Sequence, residues 1–255
     1  MSPAMSLSVI VLTKNSAASL RPCLESVKWA DEIVIFDSGS TDKTLSIAKE
    51  YTTHVFETDW PGFGPQRIRA LAACTKDWVL SLDSDEEVSP ELQIIIQTLL
   101  KKPPNNIHGH YIKRRLFFYG QPIRFAVGSD EHINLFRREH AAYRDELVHE
   151  SVIVNGKIAH LPGLIYHNSF PNLDSLIEKM NYYSALGAEE RMRRGRKSSF
   201  SGALFKGVWM FFLSYILRLG FLDGKAGFIL SASAGQSTYY QYLKMIYKNE
   251  KKLSI

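Results

Sequence analysis

Trp78-Val-Leu-Ser-Leu-Asp-Ser-Asp85 decides the reading of this chain: an apolar run breaks off into two carboxylates one residue apart. A short apolar run ending in a polar turn is the pattern of a strand buried on both faces. The same pattern occurs three times upstream. Ser8-Val-Ile-Val-Leu12 runs into Thr13-Lys14-Asn15, Glu32-Ile-Val-Ile-Phe36 into Asp37, and His54-Val-Phe-Glu57 forms a shorter third copy. Helical segments fill the gaps. Ser16 to Val27 places Leu20, Leu24 and Val27 at helical spacing, and Thr41-Asp42 can cap a helix through Ile47 and Ala48. Gln66 to Ala73 is a further helix, and Ser89-Pro90-Glu91 starts another with proline at its favoured first position. Strands alternating with helices predict an α/β fold with a mostly parallel sheet. In such sheets ligands bind beyond the strand C-termini, where Thr13, Asn15, Asp37, Asp83 and Asp85 all fall.

Carboxylates at Asp83 and Asp85 supply hard oxygen ligands suited to Mg²⁺ or Mn²⁺, which in turn holds a diphosphate. Elsewhere Asp-x-Asp is commonly a solvated loop; its place after a buried strand is what points to chemistry. Glu86 and Glu87 extend the acidic run and read as exposed acids of a first helical turn. Asp37 has two readings, an acceptor for a base or ribose and an Asx-turn residue that shapes its loop. Gly62-Phe-Gly64 lacks the third glycine of a dinucleotide fingerprint and reads as a flexible loop. The chain has no phosphate-binding Gly-x-x-x-x-Gly-Lys-Ser/Thr loop, and Cys23 and Cys74 form no zinc motif.

With 255 residues, 45% apolar and 22% charged, the chain has ample material for a core and is not disordered or fibrous. Two cysteines make no disulfide framework and fit a reducing compartment, and no secretory signal is expected at the N-terminus. The formal charge of +5 hides an asymmetry. Residues 1–100 carry 8 Lys/Arg against 14 Asp/Glu, and residues 101–255 carry 23 against 12. A basic C-terminal part implies an anionic partner. Nucleic acid is disfavoured by the acidic N-terminal half and by the lack of any RNA or DNA motif, despite a pI near 9.1.

After about His110 the pattern changes to short strands at Gly109-His-Tyr-Ile112, His132-Ile-Asn-Leu-Phe136, Ser151-Val-Ile-Val154 and Gly163-Leu-Ile-Tyr-His167. These extend the sheet with mixed or antiparallel strands, and from Pro171 the chain reads as helical. The most apolar stretch, Gly207 to Leu217, is bounded by Lys206 and Arg218, and its eleven residues fall short of the ~20 a membrane-spanning helix needs. It reads either as a buried helix or as one lying in a membrane interface beside Arg191, Arg193, Arg194, Arg196 and Lys197. Residues 186–225 carry eight bases and three acids.

Three segments together resemble glycosyltransferase family 2: Ser8-Val-Ile-Val-Leu-Thr-Lys-Asn15, Asp37-Ser-Gly-Ser-Thr-Asp-Lys-Thr44 and Trp78-Val-Leu-Ser-Leu-Asp-Ser-Asp-Glu86. Further segments are similar to the bacterial lipopolysaccharide core-biosynthesis glucosyltransferases: Trp29-Ala-Asp-Glu-Ile-Val34, Gly62-Phe-Gly-Pro-Gln-Arg67, Leu147-Val-His-Glu150, Arg191 to Lys197 and Gly220 to Phe228. The likeness covers about residues 7–247. It implies a GT-A fold over residues 1–170 and a helical, membrane-associating extension over 171–255. It implies an inverting, metal-dependent transfer of a hexose, glucose from UDP-glucose, to the lipopolysaccharide inner core, on the cytoplasmic face of the inner membrane. Transfer to a polyprenyl-linked oligosaccharide or another glycolipid is the alternative within the class. A nucleotide-binding module without catalysis is the alternative outside it.

By the same resemblance Thr13 and Asn15 line the nucleotide pocket and Asp37 recognises the base. Asp83 meets the ribose or metal, Asp85 ligates Mg²⁺ or Mn²⁺, and Gln66 and Arg67 touch the donor. Inversion needs a carboxylate to take the acceptor proton. Many members use an Asp in a Glu-Asp pair, absent here; Asp145-Glu-Leu-Val-His-Glu150 stands in its place, with Glu150 the first candidate and Asp145 the second. Glu146 has an exposed reading, and His149 reads as a partner of the carboxylate. His167 has two readings, a third ligand to metal or diphosphate and a satisfied core histidine.

Overall fold

The computed structural model describes residues 5–128, 130–143 and 152–253. Leu7–Thr13 (β1), Glu32–Asp37 (β2), Val55–Glu57 (β3) and Trp78–Asp83 (β4) form the parallel half of a nine-stranded sheet. Between and after them run helices Leu20–Val27 (α1), Thr44–Lys49 (α2), Phe63–Ala73 (α3) and Pro90–Lys101 (α4). Every residue of β1 and β2 is buried, so side-chain alternation fills both faces. Leu7, Val9, Val11, Ile35 and Leu80 share one core with Leu24 of α1, Ile47 of α2 and Ile96 of α4. Ile10, Leu12, Val34, Phe36 and Val79 share the other with Ala70 of α3. The strand ends are level: Thr13 is opposite Asp37, and Leu12 opposite Asp83. That register brings the polar ends of β1, β2 and β4 to one edge.

The antiparallel strands follow as Glu86–Val88 (β5), Ile107–Phe118 (β6), Gln121–Pro122 (β7), Glu131–Arg137 (β8), Ala141–Tyr143 (β9), Val152–Val154 (β10) and Lys157–Phe170 (β11). The sheet order is β3-β2-β1-β4-β8-β6-β11-β5, with β7 on β6, and β9 and β10 pair separately. Two local expectations are corrected. Glu86 and Glu87 are not exposed helix acids; they form β5, opposite His167 and Tyr166 of β11, and Glu86 is 1% exposed. The helix begins only at Pro90, where Ser89 Oγ accepts the Leu92 N–H at 3.2 Å. Gly62-Phe63-Gly64 is not a loop but the start of α3. Gly62 holds φ +115, a conformation open to glycine, and Pro65 sits in the first turn, where an absent N–H costs nothing.

His110 of β6 is buried beside Trp78, and neither ring nitrogen has a hydrogen-bond partner among the described residues. Burial pushes its pKa from 6.5 down to about 4. The unfolded chain therefore binds the proton first, so stability should fall as pH drops from 6.5 toward 4. His110→Phe should flatten that part of a curve of denaturant midpoint against pH; an unaltered slope would assign the pH dependence elsewhere.

The chain divides into two compact units: Met1–Arg115 with Ser129–His167, and Leu116–Gly128 with Asn168–Ile255. The second holds Leu173–Arg193 (α5), Phe200–Phe212 (α6) continued by a π-helical turn Leu213–Leu217, a 3-10 turn Gly220–Asp223, and Gly224–Leu253 (α7). In α6 and α7, Gly207 and Gly235 let the backbones meet: a Cβ on Gly235 would lie 2.9 Å from the Gly207 carbonyl oxygen. Asp223 is buried and its carboxylate accepts the backbone N–H groups of Arg124, Phe125 and Ala126 at 2.8 to 3.0 Å. The eleven-residue apolar run is part of a longer helix. Phe200–Leu217 is continuous over 18 residues, long and apolar enough by length and composition to cross a membrane. Lys206 does not end it, because its ammonium lies 4.3 Å over the Tyr242 ring.

Candidate functional site

The edge formed by β1 and β2 is a hydrogen-bonded cradle. Asp37 is fully buried; it accepts from Thr13 Oγ1 at 2.8 Å, from the Gly39 and Ser40 N–H groups at 3.0 and 2.8 Å, and from Ser40 Oγ. Its carboxylate thus shapes the turn it begins. Asn15, at φ +48, ties the two loops by accepting the Thr41 N–H at 2.9 Å and donating its own N–H to Ser40 Oγ at 2.8 Å. Gln66 is fully buried and donates to Ser38 Oγ at 3.2 Å and Thr58 Oγ1 at 2.6 Å, fastening α3 under the same loop.

Asp83 and Asp85 flank the tight turn between β4 and β5, and they differ in partner. Asp83 pairs with Arg67 at 2.7 Å, while the same guanidinium reaches Ser81 Oγ at 2.5 Å. Asp85 faces His167, with Oδ2 to Nε2 at 3.5 Å. Burial works to lower the His167 pKa, but the hydrogen bond and charge of Asp85 outweigh it and hold the pKa raised. Among the described residues no group of three or more His, Cys, Asp and Glu converges as a metal cage. Asp85 and His167 would offer a divalent cation one carboxylate oxygen and one imidazole nitrogen, so its other ligands would have to come from outside the protein.

Beneath the turn lies the network that sequence reasoning missed. Glu86 accepts the Asp83 N–H at 2.9 Å and pairs with Arg114 of β6 at 2.9 Å. Arg114 is also held by Asp130 at 2.8 Å, and His132 bonds Asp130 at 2.6 Å. Burial raises the Glu86 pKa, with Asp83 adding to it and Arg114 opposing. Asp130 is also desolvated, yet hydrogen bonds from His132 and Arg114 hold its pKa well below the ordinary range. Arg67, Asp83, Glu86, Arg114 and Asn134 line a pocket of about 360 Å³. Asn134 donates to the Ser81 carbonyl at 2.8 Å, while its buried Oδ1 has no partner among the described residues. An arginine in the middle of a strand, three residues into Tyr111-Ile-Lys-Arg114, is the one signal that could have found this network.

Glu150 and Asp145 lie outside the described residues. The residues on either side of that segment, Tyr143 of β9 and Val152 of β10, are paired and both line the pocket.

The family model for glycosyl transferase family 2 matches residues 8–150, the whole run from β1 past the Asp83–Asp85 turn. The chain belongs to that family. This family 2 glycosyltransferase is 31% identical over 235 residues to an uncharacterised glycosyltransferase of Rickettsia typhi, covering 88% of this chain and 80% of the relative. It is 29% identical over 232 residues to the lipopolysaccharide core biosynthesis glycosyltransferase LpsC of Rhizobium meliloti, covering 88% and 84%. Among solved structures, residues 1–349 of TarS from S. aureus superpose at a TM-score of 0.47 with 18% identity, over 96% of this chain and 92% of that one. With its family match and its sheet topology, the chain has the α/β GT-A fold of that family, followed by a C-terminal helical region.

Proposed function

We propose that this glycosyltransferase moves a hexose, glucose from UDP-glucose, with inversion onto the inner core of a lipopolysaccharide or lipooligosaccharide. The observation that carries the reading is the Asp83–Asp85 turn, in which Asp83 lines a polar pocket and Asp85 is set against His167 at 3.5 Å. The likeness to LpsC supports the acceptor class. Asp85 and His167 would hold Mg²⁺ or Mn²⁺, which supplies charge for the departing diphosphate. Asp37, Thr13 and Asn15 shape the loops that would receive the nucleotide, and Arg67 fixes Asp83 for the ribose. A screen of nucleotide sugars, scoring diphosphate release with extracted core lipid, tests the whole reading. Release from UDP-glucose that depends on that acceptor is expected; transfer only to polyprenyl-linked oligosaccharide would replace the acceptor.

Glu150 takes the acceptor proton in this reading, which the pairing of the flanking Tyr143 and Val152 and their place in the pocket lining support. Glu150→Gln should leave UDP binding near wild type and lower kcat by about 10²–10⁴-fold. Normal transfer by that variant together with loss in Asp145→Asn would move the role to Asp145.

The enzyme is peripheral to the cytoplasmic face of the inner membrane in this proposal. Ala203 and Gly207 of α6 are buried, whereas Leu204, Phe205, Val208, Trp209 and Phe212 are exposed, Phe205 by 69%. An outward apolar face beside a basic cluster suits an anionic bilayer surface. Each large apolar side chain inserted contributes about 1.5–3 kcal/mol. Phe205→Ser with Trp209→Ser should therefore lower binding to anionic vesicles at high salt by at least about tenfold. Unchanged partitioning would make this face a contact for another protein.

A further inference from the structure

Five bases lie between Arg191 and Lys197, yet only some of them converge. Arg191, Arg194 and Arg196 line a cavity of about 140 Å³ together with Gly187, Glu190 and Gln241 of α7. Helix α5 ends here in a Schellman arrangement. The Gly195 N–H bonds the Met192 carbonyl at 3.0 Å, the Arg196 N–H bonds the Arg191 carbonyl at 3.0 Å, and Gly195 takes φ +71. That turn folds Arg196 back over Arg191. Basic residues in a last helical turn complement the helix dipole, which accounts for Arg191 and Arg193 but not for Arg196 beyond the end.

The cavity is built on both sides. Gly187 leaves room for Gln241: a Cβ there would stand 2.0 Å from Gln241 Nε2. The Arg191 guanidinium lies 5.2 Å from the Tyr242 ring centroid, which fixes its plane. Glu190 pairs with Arg194, while Arg191 and Arg196 have no carboxylate partner and Gln241 no hydrogen-bond partner among the described residues. The lining therefore carries three positive charges and one negative around a space less than half that of the pocket lined by Asp83 and Arg114.

We propose that Arg191, Arg194, Arg196 and Gln241 form a binding site for a single phosphomonoester group. Guanidinium forks match phosphate oxygens in bidentate pairs, and the amide adds a neutral donor. The space takes a phosphate but not a nucleoside diphosphate. The group can be borne by a lipid headgroup or by a soluble phosphorylated molecule, and the site stands whether or not the transfer reaction is assigned correctly.

The test separates a built site from diffuse charge. Replacing all three arginines by lysine (Arg191→Lys, Arg194→Lys and Arg196→Lys) keeps the charge and removes the forks. Calorimetric titration of the full chain with inorganic phosphate at pH 8 should show one saturable site. The triple variant should bind phosphate at least tenfold more weakly, Gln241→Leu should weaken it less, and both should bind UDP like wild type. Vesicles of phosphatidic acid and of phosphatidylglycerol at matched charge identify the source. A preference for phosphatidic acid that the triple variant abolishes places the group on a lipid; phosphate binding without that preference places it on a soluble molecule. Absence of saturable phosphate binding, or equal binding by wild type and the triple variant, overturns the proposal.

Discussion

Asp85→Asn is expected to lower sugar transfer by about 10²–10³-fold while leaving the fold intact, the loss seen when one preorganised electrostatic contact to a developing charge is removed. The substitution conserves volume and removes a charge from a turn of defined shape. That shape is set by the Asp83 N–H on Glu86 and by Ser84 Oγ on Ser16 Oγ at 2.9 Å. Asp83→Asn should behave differently, because its partner is Arg67 at 2.7 Å and not His167. Its loss should weaken donor binding and raise KM more than it lowers kcat. The readout is diphosphate release with UDP-glucose across a titration of Mn²⁺. For Asp85→Asn the loss should shrink as Mn²⁺ rises, since a weakened ligand set is partly restored by mass action. Full wild-type activity in excess chelator would remove the metal from the reading, and equal kinetic effects of the two substitutions would remove the division of roles.

The parallel half of the fold was legible because burial on both faces leaves an unmistakable trace. Val9 to Leu12 and Ile33 to Phe36 can be apolar throughout, and Val79 to Leu82 apolar but for Ser81, only if both sides of the sheet are covered. Their level C-terminal ends follow from strands of similar length, which is why the sequence alone places Thr13, Asp37 and Asp83 together. Glu86 was misread for a physical reason: an acid three residues ahead of a Ser-Pro helix start looks like a first-turn acid. Its true environment is made by Arg114, 28 residues away on a strand whose pairing no local pattern records, itself held by Asp130. The apolar helix was cut short because Lys206 resembled a boundary. Its partner, the Tyr242 ring, comes from a helix that begins 18 residues later. Long-range pairing, in both cases, decided what a charged residue was for.

Arg114→Met should destabilise the first unit by about 3–5 kcal/mol, because breaking a buried ion pair from one side strands the other charge. Glu86 is 1% exposed and would keep only the Asp83 N–H, while Arg114 itself is 16% exposed by side chain and so little screened by water. Asp130 would lose the same partner but retain His132 at 2.6 Å. The pH dependence gives the effect a signature. In the wild type Glu86 already has a raised pKa, so the folded state binds its proton more readily than the unfolded chain does. Stability then falls as pH rises from the ordinary value of 4.5 through the folded pKa. Removing the guanidinium raises that pKa further, so the penalty in Arg114→Met should be smallest in acid and grow toward neutral pH. Glu86→Gln in the same chain should recover much of the loss, since a neutral amide has no charge to strand. Denaturant midpoints for the two single variants and the double variant, at pH 5 and pH 8, complete the cycle. A loss below about 1 kcal/mol in Arg114→Met, or strict additivity of the two changes, would show that Glu86 and Arg114 do not act as a pair. A coupled pair would make the floor of the pocket rigid at the point where the Asp83 N–H is held, and the Asp85 side chain is positioned only two residues beyond it.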